Sequence, residues 1–341
     1  MATTAPEIER LEYTPEIAEA TAPIYEKIRD VVPEFEWQLQ APLVYEINRL
    51  KKELDAVILA HNYQVPQIFH GVADYTGDSL GLARQAMEVS APLIVFCGVH
   101  FMAETAKILN PDKTVLIPDL RAGCSLSESI SVGDVLLLKQ RYPGVPVVSY
   151  VNTPAAIKAV SDICCTSANA RKVVESLGSR RVIFLPDEYL ALNVQKETDV
   201  EVIAWKGRCV VHEQFTVEEL RAYRAQFPGL VILAHPECSP EVCDEADFVG
   251  STTSMIKFVG ETEAQRILMV TECSMSDNVQ EAHPDKELVR SCTICPHMKQ
   301  ITLEKALASL RFGQYEVDVP FEVRQRARLA LERMLAIGRD G

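Results

Sequence analysis

The sequence has no apolar run long enough to cross a membrane. Its longest apolar stretches, at 57–61 and 92–99, have the length of strands, whereas a membrane helix needs about 20 residues. The acidic N-terminus lacks a basic region followed by an apolar stretch, so we expect no secretory signal and a cytoplasmic location. In a reducing compartment, ten cysteines are more often core residues, metal ligands or redox thiols than disulfides.

Basic residues are scarce relative to acidic ones. The chain of 341 residues has 34 Lys and Arg against 48 Asp and Glu, a formal net charge of −14 at pH 7. This imbalance argues against nucleic acid or an anionic membrane as partner and leaves a small molecule as the expected ligand. No GxGxxG motif follows the first strand, which disfavours a nicotinamide dehydrogenase.

From about residue 43, the sequence alternates apolar runs of strand length with helical patterns, three times over. Such alternation is typical of α/β proteins with parallel sheets. The three copies begin with AVILAHNYQ at 56–64, VPVVSYVNT at 145–153 and LVILAHPEC at 230–238. We predict three related α/β units, each ordered strand, helix, strand, helix, strand.

The repeat pattern divides the chain into an extension, three units and a helical end. The predicted ranges are 1–40 for an N-terminal extension with a helix near 15–31, 41–128, 129–212 and 213–298 for the repeats, and 299–341 for C-terminal helices. The first repeat is predicted to carry an insertion at 61–87, interpreted as a lid or binding loop because it is polar and follows a strand directly.

Three cysteines, Cys124, Cys209 and Cys295, occur once per repeat, 85 and 86 residues apart. This placement would bring three thiolates together on a pseudo-threefold axis. Three thiolates suit a four-iron, four-sulfur cluster in which one iron has no protein ligand. Spacing alone leaves zinc and unconnected cysteines open, and Cys292 with Cys295 is a close pair of the kind that structural zinc sites use.

Nine motifs in order resemble those of the quinolinate synthase family over residues 43–310: AHNYQ, GDSLGLA, LRAGCSLS, YVNT, CTSANA, KGRCVVHE, AHPEC, GSTTSM and CPHMK. The resemblance implies three similar three-layer α/β/α domains around a central site, with a 4Fe–4S cluster bound by Cys124, Cys209 and Cys295. It implies condensation of iminoaspartate with dihydroxyacetone phosphate to quinolinate, with loss of phosphate and water, in NAD biosynthesis. Functional coupling to L-aspartate oxidase is also implied.

The resemblance assigns further site residues, most of them at strand ends. The implied catalytic residues are Glu237, His235, His212, Tyr63 and Tyr150, with Glu237 abstracting a proton from carbon and the tyrosines relaying protons. The implied substrate-binding residues are His61, Ser79, Tyr150, Asn152, Ser167, His235, Glu237, Ser251 and Thr252. The serines and Thr252 stand where helices begin, which favours anions, although each taken alone is as compatible with a simple N-cap.

Two other functions stay open. A hydro-lyase acting on another small polycarboxylate would also use a cluster with an open iron. An iron–sulfur sensor or carrier would need a partner or nucleic-acid surface, and the sequence has no basic patch that would serve as one.

Overall fold

The computed structural model describes residues 11–339. The first ten residues of the predicted extension and the last two of the predicted C-terminal region therefore lie outside the described residues. Within 11–339, no helix is both long enough and apolar enough to cross a bilayer.

Three four-stranded parallel sheets form the protein. Their strands are β1 (Ala56–His61), β2 (Tyr75–Gly77), β3 (Leu93–Cys97) and β4 (Thr114–Leu116); β5 (Val147–Tyr150), β6 (Ile163–Cys165), β7 (Arg181–Leu185) and β8 (Glu201–Ala204); and β9 (Leu230–Ala234), β10 (Phe248–Val249), β11 (Arg266–Val270) and β12 (Glu287–Val289). The spatial orders are β2-β1-β3-β4, β6-β5-β7-β8 and β10-β9-β11-β12, so each sheet has the same topology. The predicted α/β fold with three pseudo-symmetric units is confirmed.

Helices cover the sheets and connect their strands. They are α1 (Pro15–Ile28), α2 (Glu34–Glu53), α3 (Pro66–Phe69), α4 (Ser79–Glu88), α5 (His100–Leu109), α6 (Ser125–Glu128), α7 (Val132–Arg141), α8 (Ala155–Lys158), α9 (Ala170–Ser176), α10 (Glu188–Lys196), α11 (Val217–Gln226), α12 (Pro240–Glu245), α13 (Thr252–Glu261), α14 (Ser274–Gln280), α15 (Leu303–Phe312) and α16 (Phe321–Ile337). Because both faces of each sheet are covered, the central strands are continuous apolar runs: β5 and the last four residues of β1 are fully buried.

The N-terminal region packs on the first sheet as two helices. Thr14 caps α1, its hydroxyl accepting a hydrogen bond from the Ile17 amide at 3.3 Å. Helix α2 buries Trp37, Val44 and Ile47, and it continues through the predicted boundary at residue 40. The exact limits of the extension and repeats stay predictions.

The predicted insertion at 61–87 is wrong. That segment contains β2 and α4, and β2 occupies the same position beside β1 that β6 and β10 occupy beside β5 and β9. Strand β2 escaped the sequence analysis because its three residues, Tyr-Thr-Gly, are largely exposed and form no apolar run. The three repeats are therefore regular, and each contains a fourth strand that the predicted pattern lacked.

Candidate active site

The carboxyl ends of the strands from all three sheets face one cavity of about 680 Å³, a volume that includes its opening to solvent. The first strand of each sheet delivers a pair of side chains two residues apart: His61 and Tyr63, Tyr150 and Asn152, and His235 and Glu237. Each second strand is followed two residues later by a serine, and these serines therefore occupy equivalent positions in the three repeats: Ser79, Ser167 and Ser251. Ligand sites of open parallel sheets form at such strand ends because polar side chains and helix starts converge there.

One wall of the cavity carries Cys124, Cys209 and Cys295. Each follows the fourth strand of its own sheet, so three cysteines far apart in sequence reach one place. Their surroundings are alike. Each sulfur is approached by the backbone N–H groups of the residues two and three positions later, which act to lower its pKa.

This threefold arrangement fits a thiolate-bound metal or cluster. Burial raises the pKa of the Cys124 thiol to about 12, and burial raises the pKa values of Cys209 and Cys295 as well. The N–H groups oppose that effect, and a bound cation would add to them, since ligating thiols are deprotonated. Hydrogen bonds to cluster sulfurs are a recurring feature of iron–sulfur sites.

Close to Cys209, the cavity lining is organised around Glu237, which is 3% exposed. The Tyr150 hydroxyl donates to Glu237 Oε1 at 2.5 Å, and Asn152 Nδ2 lies 3.4 Å from the same oxygen. His212 Nδ1 lies 2.8 Å from Oε2. Although burial alone would raise the pKa of the Glu237 carboxyl, the imidazole of His212 above all holds it below its ordinary value. Glu237 is therefore an ionised, fully oriented carboxylate.

A chain of hydrogen bonds connects Glu237 to Tyr63 through His212 and Thr271, two residues that do not line the cavity. His212 Nε2 lies 3.0 Å from the Thr271 hydroxyl, and this hydroxyl lies 2.6 Å from the Tyr63 hydroxyl. With the His212 Nδ1–H donating to the carboxylate, Nε2 accepts from Thr271, which in turn accepts from Tyr63. The protonation of Tyr63 is thereby coupled to that of Glu237, 174 residues later in the sequence.

Two of the histidines that line the cavity, His61 and His235, are held neutral. Burial lowers the pKa of His61 to about 4 and that of His235 to about 3. His235 Nε2 lies 3.2 Å from the Ser167 hydroxyl, and the His235 ring stacks on His212 with centroids 4.7 Å apart. Neutral imidazoles retain one donor and one acceptor nitrogen, so either can bind a substrate oxygen or move a proton.

Two predicted site residues do not line the cavity. His212 lies outside the lining, with its Nδ1 2.8 Å from Glu237 Oε2 and 3.2 Å from Cys209 Sγ. Ser251 is the N-cap of α13, where its hydroxyl accepts from the Ser254 amide at 3.3 Å. Its neighbour Thr252 does line the cavity and accepts a hydrogen bond from Asn62 Nδ2 at 2.8 Å. The other predicted residues line the cavity together.

Several residues at this site were absent from the sequence prediction. Thr271 links Tyr63 to His212, and Asp78 lines the cavity beside Ser79. The fully buried Glu272 lies 2.9 Å from Lys299 Nζ and 3.4 Å from the Cys295 amide nitrogen, so it anchors the loop that carries this cysteine. Thr271 and Glu272 directly follow β11, and a polar pair after an apolar strand was the available signal.

A second donor set overlaps the cysteine wall. Within residues 11–339, Cys209, His212 and Glu237 have ligand atoms that all lie within 4.8 Å of one another. Cys292, which forms the close pair with Cys295 noted in the sequence, is exposed and contacts Cys273.

The chain is similar to proteins of one family over nearly its whole length. The family model described as Quinolinate synthetase A protein matches residues 45–336. The quinolinate synthase of Sinorhizobium fredii is 59% identical over 325 residues, which cover 95% of this chain and 90% of the relative. That of Agrobacterium fabrum is 59% identical over 318 residues, covering 93% and 92%, and that of Caulobacter vibrioides is 54% identical over 336 residues, covering 97% and 92%.

These matches include each repeat and every residue of the cavity wall described above. The chain therefore belongs to the quinolinate synthase family.

Proposed function

We propose that this chain is an enzyme of the transferase class that condenses iminoaspartate with dihydroxyacetone phosphate to quinolinate, releasing phosphate and water, in NAD biosynthesis. The observation that carries the proposal is a single cavity that brings together three cysteines, one from each repeat, and Glu237 with its hydrogen-bonded tyrosine and histidine. Membership of the family supports the choice of substrates.

We infer that Cys124, Cys209 and Cys295 bind a 4Fe–4S cluster. The three sulfurs have equivalent N–H donors and share one wall of the cavity, as a cluster on a pseudo-threefold axis requires. When bound through three cysteines, such a cluster supplies a Lewis acid, because its fourth iron has no protein ligand.

Glu237 is proposed as the general base. Its carboxylate is ionised, faces the cavity and is held by three neighbours, so it can take a proton from a substrate carbon without losing its orientation. Burial raises the pKa values of Tyr63 and Tyr150 well above the ordinary range, so both are proposed to hold their protons. These protons are donated to Thr271 and Glu237, which leaves the two hydroxyl oxygens to accept hydrogen bonds from the substrate.

Anionic substrate groups are proposed to bind where α4 and α13 begin. Ser79 and Thr252 are the first residues of these helices and both line the cavity, so free N–H groups and the helix dipoles favour a carboxylate or phosphate there. Ser167, His61 and His235 complete the set of donors around the substrate.

The product formed by the loaded enzyme tests the proposed reaction. Reconstituted under anaerobic conditions, the protein is expected to form quinolinate, detected by mass spectrometry, from iminoaspartate and dihydroxyacetone phosphate. It is expected not to dehydrate simple hydroxy acids. Dehydration of a hydroxy acid without quinolinate formation would replace the proposal with the hydro-lyase function.

The hydroxyl of Thr271 gives a further prediction. Thr271→Val keeps the shape of the side chain but breaks the link between Tyr63 and His212, and we expect kcat to fall roughly 10- to 100-fold, the scale of losing a hydrogen bond that orients a site residue. Thr271→Ser retains the hydroxyl and is expected to stay within about twofold of wild type. Steady-state kinetics on the two variants check this, and equal rates would exclude the relay.

We also propose that the protein works in the cytoplasm and receives iminoaspartate from L-aspartate oxidase. The ten free thiols are compatible with a reducing compartment. Quinolinate yield per iminoaspartate should be higher when the oxidase generates the imine in the same solution than when preformed imine is supplied at the same rate. Equal yields would contradict the coupling.

A further inference from the structure

A second depression, here named the outer groove, adjoins the active-site cavity. It encloses about 1520 Å³ including open solvent, and Ser167 lines both spaces. Its charged lining residues within the described chain are Arg171, Lys257 and Arg339 against Glu197 alone, which lies 3.8 Å from Arg171. Lys257 lies 3.9 Å from Glu261, and Arg339 pairs with Asp78, so the basic residues of the outer groove are balanced by acids and Arg339 is balanced by an acid of the active-site cavity.

Arg339 stands where the outer groove meets the cavity. Its Nη1 and Nη2 atoms donate to Asp78 Oδ2 and Oδ1 at 2.6 Å and 2.8 Å, the fork geometry of an arginine and a carboxylate. Asp78 is 6% exposed, lines the active-site cavity and caps α4 by accepting from the Gly81 amide at 2.8 Å. One guanidinium thus borders the groove and also neutralises an acid of the cavity.

The chain is built to hold Arg339 in this place. Gly338, with φ of +79°, ends α16 in a backbone conformation that favours glycine and turns the next residue inward. Lys172 Nζ donates to the Arg339 carbonyl, and Arg84 Nη2 donates to the Leu335 carbonyl at 3.1 Å. Because Arg84 belongs to the first repeat and Lys172 to the second, the end of the chain is tied to two repeats at once.

The charge of Asp78 matters because every proposed substrate is an anion. Burial alone would raise the pKa of the Asp78 carboxyl, but Arg339 holds it below its ordinary value, so the carboxylate is ionised. Without Arg339, Asp78 would keep only neutral partners, the Gly81 amide and the Thr253 side chain, and its negative charge would repel a dicarboxylate or a phosphate. In a partly desolvated cavity, such repulsion is far stronger than in water.

We propose that Arg339 is a specificity-determining residue for anionic substrates: it neutralises Asp78 at the junction of the outer groove and the cavity, and so permits anions to pass inward and bind. The inference rests on the proposed function for the identity of the substrates. Asp78 then has two roles: it is the N-cap of α4, and it orients Arg339.

The test compares two arginines of the C-terminal region in the cluster-loaded enzyme. Arg339→Gln is expected to raise KM for dihydroxyacetone phosphate about tenfold with kcat within about twofold, as expected when uniform binding is lost. Arg328→Gln is the matched control, since Arg328 is an exposed residue of α16 paired with Glu332 at 2.7 Å, and it should leave both constants unchanged. Thermal unfolding of both variants verifies that they are folded.

The double variant Asp78→Asn with Arg339→Gln separates charge compensation from a structural role. Asparagine retains the N-cap but not the charge, so KM should return to within about threefold of wild type. A KM for Arg339→Gln equal to that of Arg328→Gln, or no recovery in the double variant, overturns the inference.

Calorimetric titration with inorganic phosphate makes the same comparison without turnover. The dissociation constant should rise about tenfold in Arg339→Gln and recover in the double variant. If the wild-type enzyme forms no quinolinate, the proposed function fails, whereas the phosphate titration still decides the part played by Arg339.

Discussion

Replacing Cys124, Cys209 or Cys295 with alanine is expected to remove the cluster and reduce quinolinate formation to background. Each of the three supplies one thiol to the cavity from its own repeat, and no other cysteine of the described chain lines the cavity to take its place. The loss should follow from the missing ligand and not from unfolding, because each substitution removes a single sulfur atom. Iron and sulfide analysis, with the anaerobic absorption spectrum, measures the effect directly.

Cys292→Ala is the matched control. Cys292 lies three residues before Cys295 but is exposed and lies outside the cavity wall, so this variant should retain the full iron and sulfide content of the wild type. Full cluster content in any of the three ligand variants would reject that cysteine as a ligand. Zinc in place of iron and sulfide in the anaerobically prepared wild type would reject the cluster itself and favour the donor set of Cys209, His212 and Glu237.

Glu237→Gln is expected to lower kcat about 10²- to 10⁴-fold, the range of general acid–base catalysis, while the protein stays folded. Glutamine has the same size and its amide oxygen can still accept from Tyr150, so the wall keeps its packing. The amide has no basic oxygen, however, and cannot take a proton from carbon. Single-turnover kinetics would show the loss in the chemical step, and circular dichroism would show an unchanged fold.

The control for this prediction is Glu213→Gln. Glu213 follows His212 directly, but its side chain is exposed and lies outside the cavity lining. The Glu213→Gln enzyme should therefore turn over at the rate of the wild type. Turnover of Glu237→Gln close to wild type would exclude Glu237 as the base. The role of general base would then fall to His61 or His235, two neutral imidazoles that line the same cavity.

Where the signal was local, the sequence marked residues that the fold brings to one cavity. Apolar runs that end in polar residues marked the first strands and their pairs, such as Tyr150 with Asn152 and His235 with Glu237. This succeeded because ligand sites of parallel sheets lie at strand ends, so finding the end of a strand finds the candidate residues. The prediction of an insertion was wrong because β2 is too short and too polar to show an apolar run, so the end of this strand was not recognised.

Contacts between distant parts of the chain were beyond any local pattern. Thr271 contacts Tyr63 across 208 residues and His212 across 59, and Arg339 binds Asp78 across 261. A threonine after a strand and an arginine after a helix are ordinary in isolation. Each gains a role only from the side chain that packing brings beside it.

By itself, the sequence determined the α/β class, the three repeats and the spacing of Cys124, Cys209 and Cys295, because burial periodicity and repeat length are written along the chain. The tertiary structure alone decided that His212 lies outside the cavity lining and contacts Glu237, that Ser251 is a cap, and that Arg339 binds Asp78. The physical reason is that distances and electrostatic interactions between repeats depend on how three separately folded sheets pack together. Hydropathy patterns indicate whether each segment is buried, but they do not indicate which segments of the other repeats it contacts.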